Sequence, residues 1–444
     1  MLALRAWGER LRSSMFFVPA SFVAAAVVLS LITTRIDAEI RLQHERLPEL
    51  FLSTVDSARA LLSVIASATI AFAGISISIS LLLIQLASSQ FSPRVLYGFF
   101  RDPVTKWVTG IVIGTFTYCL LVLRVVRTPL ESNAPPVVPH LSVVIATILG
   151  VGSILAVILL INHSARSMQV GEIIRRITDE GRHQIEGLPE PDTAATSAIP
   201  RLDGSGFAVL AEDEGWVQLL DMGILLEALP ERTTCDLRAT VGGFVPLNSV
   251  LCTLHPEPES SISDRAAMAV RRSIHLGRSR TTQQDVAFAF RQLVDIALRA
   301  LSPGINDPTT AQESIVHLGS LLGQLLRHGV GPARLEDERG RRIISRNALG
   351  LDDFVNLAFD QIRIAGASTP GVAIDLLEVI GVTIGGLERT GTTAGVEALR
   401  RQARLVVEQT SRSDALAADV ETVLAVARTN DLAPSVDPIL HERS

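Results

Sequence analysis

The chain has 444 residues, 48% of them apolar, and its charge is uneven: residues 1–186 hold 16 basic and 12 acidic groups, residues 187–444 hold 24 and 34. It is too apolar for an ordinary soluble protein of this length, and its acidic second part excludes nucleic acid as a partner, because phosphate binding needs clustered cations. Lys106 is the only lysine and falls at a membrane boundary, which removes P-loop, Schiff-base and lysyl-carrier chemistry.

Four segments are long and apolar enough to cross a bilayer, which takes about 20 residues. The first, residues 16–34, follows Arg5, Arg10 and Arg12. Its apolar stretch is too long for a signal-peptide core and no small-x-small site follows, so an uncleaved anchor is expected. The second lies within 60–93 and has no ionisable residue between Arg59 and Arg94. A helix of that length would measure about 50 Å against a hydrocarbon core of about 30 Å, so it tilts or protrudes. The third is 107–126 and the fourth 141–162. Ser92-Pro93 and Asp102-Pro103 each set a cap residue before a first-turn proline, which predicts a short helix at 93–101 joining spans two and three. The arginines fall mostly in segments that are inside when the N-terminus is inside, so both termini are expected in the cytoplasm.

The second span is polar for its position. At about 100° per residue, Ser63, Ser67, Ala71, Gly74, Ser78, Gln85 and Ser89 share one arc of roughly 80°. Thr69, Ser76 and Ser80 lie nearly opposite. Such a seam lets helices approach closely, or it lines a watery path formed by several chains. No Asp, Glu, Lys or His lies in a span core, which speaks against a proton relay. Gly110 and Gly114 form GxxxG in span three, and Gly150 and Gly152 lie in span four.

A helix at 163–186 continues span four, and a Pro-, Ser- and Thr-rich linker covers 187–206. Short apolar stretches at 206–210, 216–220, 235–241 and 249–254 predict a small β domain. The run Val241 to Leu254 looks like half of a barrel-sandwich hairpin without its acceptor lysine. Helices are expected at 263–276, 283–301, 308–328, 352–366, 370–389, 394–408 and 412–428. Between two of them, Asn306, Asp307 and Pro308 read as a turn, a cap and a first helical residue, with Asn306 and Asp307 as site residues the alternative. The stretch around Glu336–Arg342 reads as a solvated loop. Cys119, Cys235 and Cys252 have no ligand spacing and read as small buried hydrophobes. No catalytic motif, metal-binding motif or cofactor motif is found.

Three stretches resemble an uncharacterised bacterial membrane-protein family, domain of unknown function 2254. They are Gln85-Leu-Ala-Ser-Ser-Gln-Phe-Ser-Pro-Arg94, then Phe100-Arg-Asp-Pro103 with Gly114 to Arg124, and Arg291-Gln-Leu-Val-Asp-Ile-Ala-Leu-Arg-Ala-Leu-Ser-Pro-Gly-Ile-Asn-Asp-Pro308. Thr309-Thr310 departs from it, where an aromatic residue would precede the threonine. The resemblance implies a bacterial inner-membrane location and supplies no functional residue.

The sequence therefore predicts a multi-span α-helical membrane protein with four transmembrane helices in 1–165 and a cytosolic α+β portion. That portion comprises a helix and linker (166–205), a small β domain (206–260), a helical domain (261–430) and a flexible tail (431–444). The expected function is an oligomeric channel made of copies of this chain, with the seam residues Ser63, Ser67, Gly74, Ser78, Gln85 and Ser89 lining the pore or packing helices. Asp102, Pro103, Asn306, Asp307 and Pro308 are expected as caps. The alternative is a membrane-anchored scaffold that binds a cytosolic protein, and an enzyme has least support because no nucleophile–base pair can be named.

Overall fold

The computed structural model describes residues 17–42, 54–90, 103–126, 138–167, 169–189, 206–257, 262–331 and 333–432. The expected helix at 93–101, Asp102, residues 190–205 of the linker and 433–444 of the tail lie outside them, as does the side chain of Ser89. The chain divides into two compact units, Met1–Glu172 and Ile173–Ser444.

In the first unit the described elements are helices: α1 (Phe17–Leu42), α2 (Val55–Gln90), α3 (Pro103–Leu123) and α4 (His140–Ser167). α3 is the central helix, packing on α1, α2 and α4. One core gathers Leu62, Tyr118, Cys119, Val122, Val143 and Ala146. A second gathers Ala73, Val108, Val112, Val157 and Leu160. α2 has 36 residues, about 54 Å at a rise of 1.5 Å per residue, so it exceeds a hydrocarbon core by several turns. Lys106 is buried in the first turn of α3.

The remaining elements begin with α5 (Val170–Glu186), most of which belongs to the second unit. β1 (Phe207–Leu210), β2 (Gly215–Leu220), α6 (Met222–Ala228), β3 (Thr233–Leu237), β4 (Phe244–Val245) and β5 (Val250–Pro256) follow. Then come α7 (Asp264–Ser273), β6 (Ile274–Gly277), α8 (Val286–Ala300), α9 (Pro308–His328), β7 (Arg334–Glu336) and β8 (Arg342–Ser345). α10 (Leu351–Ala365), α11 (Pro370–Arg389), α12 (Val396–Ser411) and α13 (Ala417–Thr429) are the last of the described elements. One sheet has the order β1-β5-β3-β8-β7 and another β4-β2-β6. Pairing is antiparallel except between β3 and β8.

Four expectations about this unit are corrected. Residues 261–430, read as helical, also supply β6, β7 and β8. The expected helix at 263–276 stops at Ser273, where Ile274 turns extended and pairs with Leu220. The stretch around Glu336–Arg342 is a hairpin rather than a free loop, with Arg342 Nε donating to Glu336 at 2.8 Å and Ile343 fully buried beside Cys235. The expected hairpin across 241–254 does not form: β4 pairs with β2, while β5 pairs with β1 and β3. Asn248, at φ 61°, makes the turn that sends the chain from one sheet to the other.

Among the described residues, five helices are long and apolar enough to cross a membrane: α1 to α4 and also α11. α11 packs on α9, α10, α12 and α13. Gln312 of α9 donates to its Asp375 at 2.6 Å.

Candidate functional site

The polar residues of α2 separate by face. Thr69 and Ser76 point into the helix bundle and are buried, with Ser80 half-buried beside them. Their hydroxyls donate to the carbonyls of Ile65, Phe72 and Ser76 at 2.8, 2.9 and 2.8 Å. A hydroxyl satisfied by its own helix costs little in a dry core. The other arc faces away from the bundle: Ser63, Ser67, Ala71, Gly74, Ser78 and Gln85 are all exposed. A Cβ added at Gly74 would touch nothing within 4 Å. Exposed Ile70, Ile77 and Leu81 border one side of this strip, and Val64, Ile75 and Leu82 the other. The outward face of α4 has different chemistry. It presents Ile148, Val151, Ile154, Leu155, Ile158 and Leu159, which suit acyl chains.

The small residues of span three are already used. A Cβ at Gly110 would lie 2.6 Å from the Phe22 ring, and one at Gly114 3.2 Å from the Phe22 carbonyl oxygen, so GxxxG seats α1 on α3. Gly150 meets Ile65 of α2 in the same way, with 3.1 Å left for a Cβ, whereas Gly152 faces open space.

A polar clasp that the sequence reading missed ties three helices together. Asp37, near the end of α1, accepts from the backbone N–H groups of Leu141 and Ser142 at 2.8 and 3.0 Å and from the Ser142 hydroxyl at 2.6 Å. It therefore caps α4 from a different helix. Fully buried Tyr118 of α3 lies beside it, its hydroxyl 3.0 Å from Thr33 Oγ1 and donating to Ser142 O at 3.2 Å. Nearby, Arg59 donates to Val126 O at 3.1 Å. Midway along, Ser153 Oγ donates to Thr115 Oγ1 at 3.0 Å. The available signal was an acid at the end of an apolar run and a tyrosine inside another.

In the second unit, Asp307 caps α9, accepting from Thr310 N at 3.1 Å and from the Thr310 hydroxyl at 2.6 Å. These bonds hold its carboxyl below the ordinary range. Asn306 adopts φ 49° and Pro308 begins the helix. Their arrangement is that of a helix start, and Pro103 likewise opens α3. Asp285 caps α8 and receives Arg280 Nε at 2.9 Å, while the guanidinium stacks on Trp216 and Phe288. Burial pushes the Asp285 carboxyl up against the pull of Arg280. The three cysteines are free and buried. Cys235 and Cys252 lie on adjacent strands, and the contact with Cys252 together with burial pushes the Cys235 thiol up. The described residues include no group of three or more His, Cys, Asp or Glu side chains placed to hold a metal ion.

A bundle of apolar helices with a sheet-containing unit after it defines a multi-pass helical membrane protein. The chain belongs to the DUF2254 family, described as predicted membrane proteins, whose model matches residues 12–381. It is similar to an uncharacterized protein of Mycobacterium bovis, with 30% identity over 400 residues covering 87% of this chain and 76% of the relative. Uncharacterized proteins of two Mycobacterium tuberculosis strains match to the same extent. No solved structure matches the chain significantly.

Proposed function

We propose that the protein is an inner-membrane channel built from several copies of this chain, with the outward strip of α2 turned toward the central path. The observation that supports this reading is the exposure of Ser63, Ser67, Gly74, Ser78 and Gln85 on the side of α2 away from its own bundle. Hydrocarbon is a poor neighbour for such a face. An amide such as that of Gln85 costs several kcal/mol when it is left unpaired in lipid, on the order of 2–7 kcal/mol. A neighbouring copy or a file of water removes that cost.

In this reading α1 to α4 span the bilayer and α11 does not. α11 packs on four other helices of the second unit and carries Asp375 and Glu378, and a carboxylate such as that of Asp375 would cost roughly 2.5–3.5 kcal/mol at a bilayer centre. Both termini are cytoplasmic, and the second unit gates or assembles the pore. Single-channel recording in reconstituted bilayers tests the proposal. Wild-type protein conducts, and Ser78→Trp lowers the conductance while the oligomer persists. Silent bilayers that contain folded oligomer would overturn the channel reading. They would favour the scaffold alternative, in which residues 187–444 bind a cytosolic protein.

A further inference from the structure

α2 is longer than a hydrocarbon core, and its first turns carry charge: Asp56 and Arg59. That end therefore stands in water beside the bilayer. Thr54 caps it. Thr54 Oγ1 accepts from Ser57 N at 3.2 Å, and the Ser57 hydroxyl donates to Thr54 O at 3.0 Å.

Asp56 is exposed and lies on the line of the outward strip. It precedes Gly74 by 18 residues, five whole turns, so the two point the same way from the helix axis. Ala60, also exposed, fills the step between Asp56 and Ser63. The strip thus runs from a carboxylate at one end through Ser63, Ser67, Gly74 and Ser78 to Gln85. Arg59, the opposite charge one turn on, is set about 60° round the helix from this line. Its guanidinium donates to Val126 O at 3.1 Å, just past the end of α3, which holds it toward the bundle.

We propose that Asp56 forms a ring of carboxylates at the outer mouth of the path, one from each copy, and makes the channel selective for small cations over anions. The inference rests on the channel reading above, and names the class of solute that the path admits. Below the mouth, the strip offers hydroxyls and an amide, which present both donors and acceptors and so favour neither sign of charge. No ionisable residue lies between Arg59 and Arg94. Discrimination by charge therefore falls to the mouth. Like charges repeated around one opening raise the local concentration of cations and lower that of anions. Because the ring stands in water, salt screens it. The Debye length is about 10 Å at 0.1 M and about 3 Å at 1 M, so the preference weakens as ionic strength rises.

Reversal potentials of the reconstituted full-length protein in a KCl gradient test the ring. The potassium-to-chloride permeability ratio is expected to be several-fold above one in the wild type and to fall toward one at high salt. Asp56→Glu keeps the ratio, Asp56→Asn brings it close to one, and Asp56→Lys takes it below one. Asp56→Asn combined with Ser57→Asp returns a carboxylate to the same turn, about 100° round the helix. A carboxylate that only supports the helix start would be replaced by it, whereas the ring predicts a ratio that stays near one. Conducting channels whose ratio is the same in wild type, Asp56→Asn and Asp56→Lys would overturn the ring and leave the channel reading standing. A ratio restored by Ser57→Asp would also overturn it. Silent bilayers containing folded oligomer would overturn both.

Discussion

Asp37 and Tyr118 carry more of the helix bundle than their neighbours in the sequence suggest. Asp37→Ala removes three accepted hydrogen bonds from the start of α4, and loss of a cap costs about 0.5–2 kcal/mol. Tyr118→Phe removes a hydroxyl that bonds Thr33 Oγ1 and Ser142 O in a fully buried site, while Thr33 Oγ1 keeps Ser30 O, at a net cost of about 0.5–1.5 kcal/mol. Both are expected to lower the thermal midpoint in detergent, and together by less than the sum, because they share Ser142. A double-mutant cycle checks this. In the second unit, the lowered carboxyl of Asp307 adds stability that is complete above its ordinary value of 3.8 and fades as the pH drops through the lower folded value. Asp307→Asn keeps the cap without the titration. The stability difference between wild type and this variant is therefore expected to shrink with acidification below pH 3.8, measured as melting temperature against pH. Asp307 was legible as a cap because the cap and its proline are adjacent in sequence. The role of Asp37 was not, since its partners lie 104 and 105 residues away.

At the scale of single helices, glycines discriminate inner from outer faces. Gly110→Leu forces a side chain into the Phe22 ring. Overpacking of this kind costs about 1–3 kcal/mol or more, so the isolated chain is expected to lose stability. Gly74→Leu meets open space, so each chain folds as before. In the channel proposed here, the same change narrows the central path, so conductance falls while the oligomer persists. Thermal melting reads the first effect, and single-channel recording reads the second. Helical spacing alone located the strip on α2. Which of its two polar arcs turns inward was not legible, because that depends on where α3 and α4 approach it. The helical stretches of the second unit were readable from their apolar period, and α9 and α11 begin and end where their prolines and terminal residues indicate. β6, β7 and β8 have only 4, 3 and 4 residues, too short for an alternating pattern to register. β6 and β8 also pair with strands far off in the chain, β2 and β3.

For the molecule as a whole, the interleaving of strands has a consequence for folding. β8 completes the sheet beside β3, and β6 completes the other sheet beside β2. A fragment of residues 206–260 therefore lacks both and is expected to stay unfolded by circular dichroism. A fragment of 170–432 holds every element of the second unit and is expected to melt in one transition, with sheet and helix signals coinciding. Separate transitions would mean that strands and helices are independent domains after all.

Lys106 is the sole lysine, and α3 keeps it inside the bundle. In the folded protein, then, any surface residue exchanged for lysine becomes the one accessible side-chain amine. Dyes, biotin esters and crosslinkers aimed at amines could be directed to a chosen loop without removing a native background. Sidedness in intact cells could be mapped one position at a time.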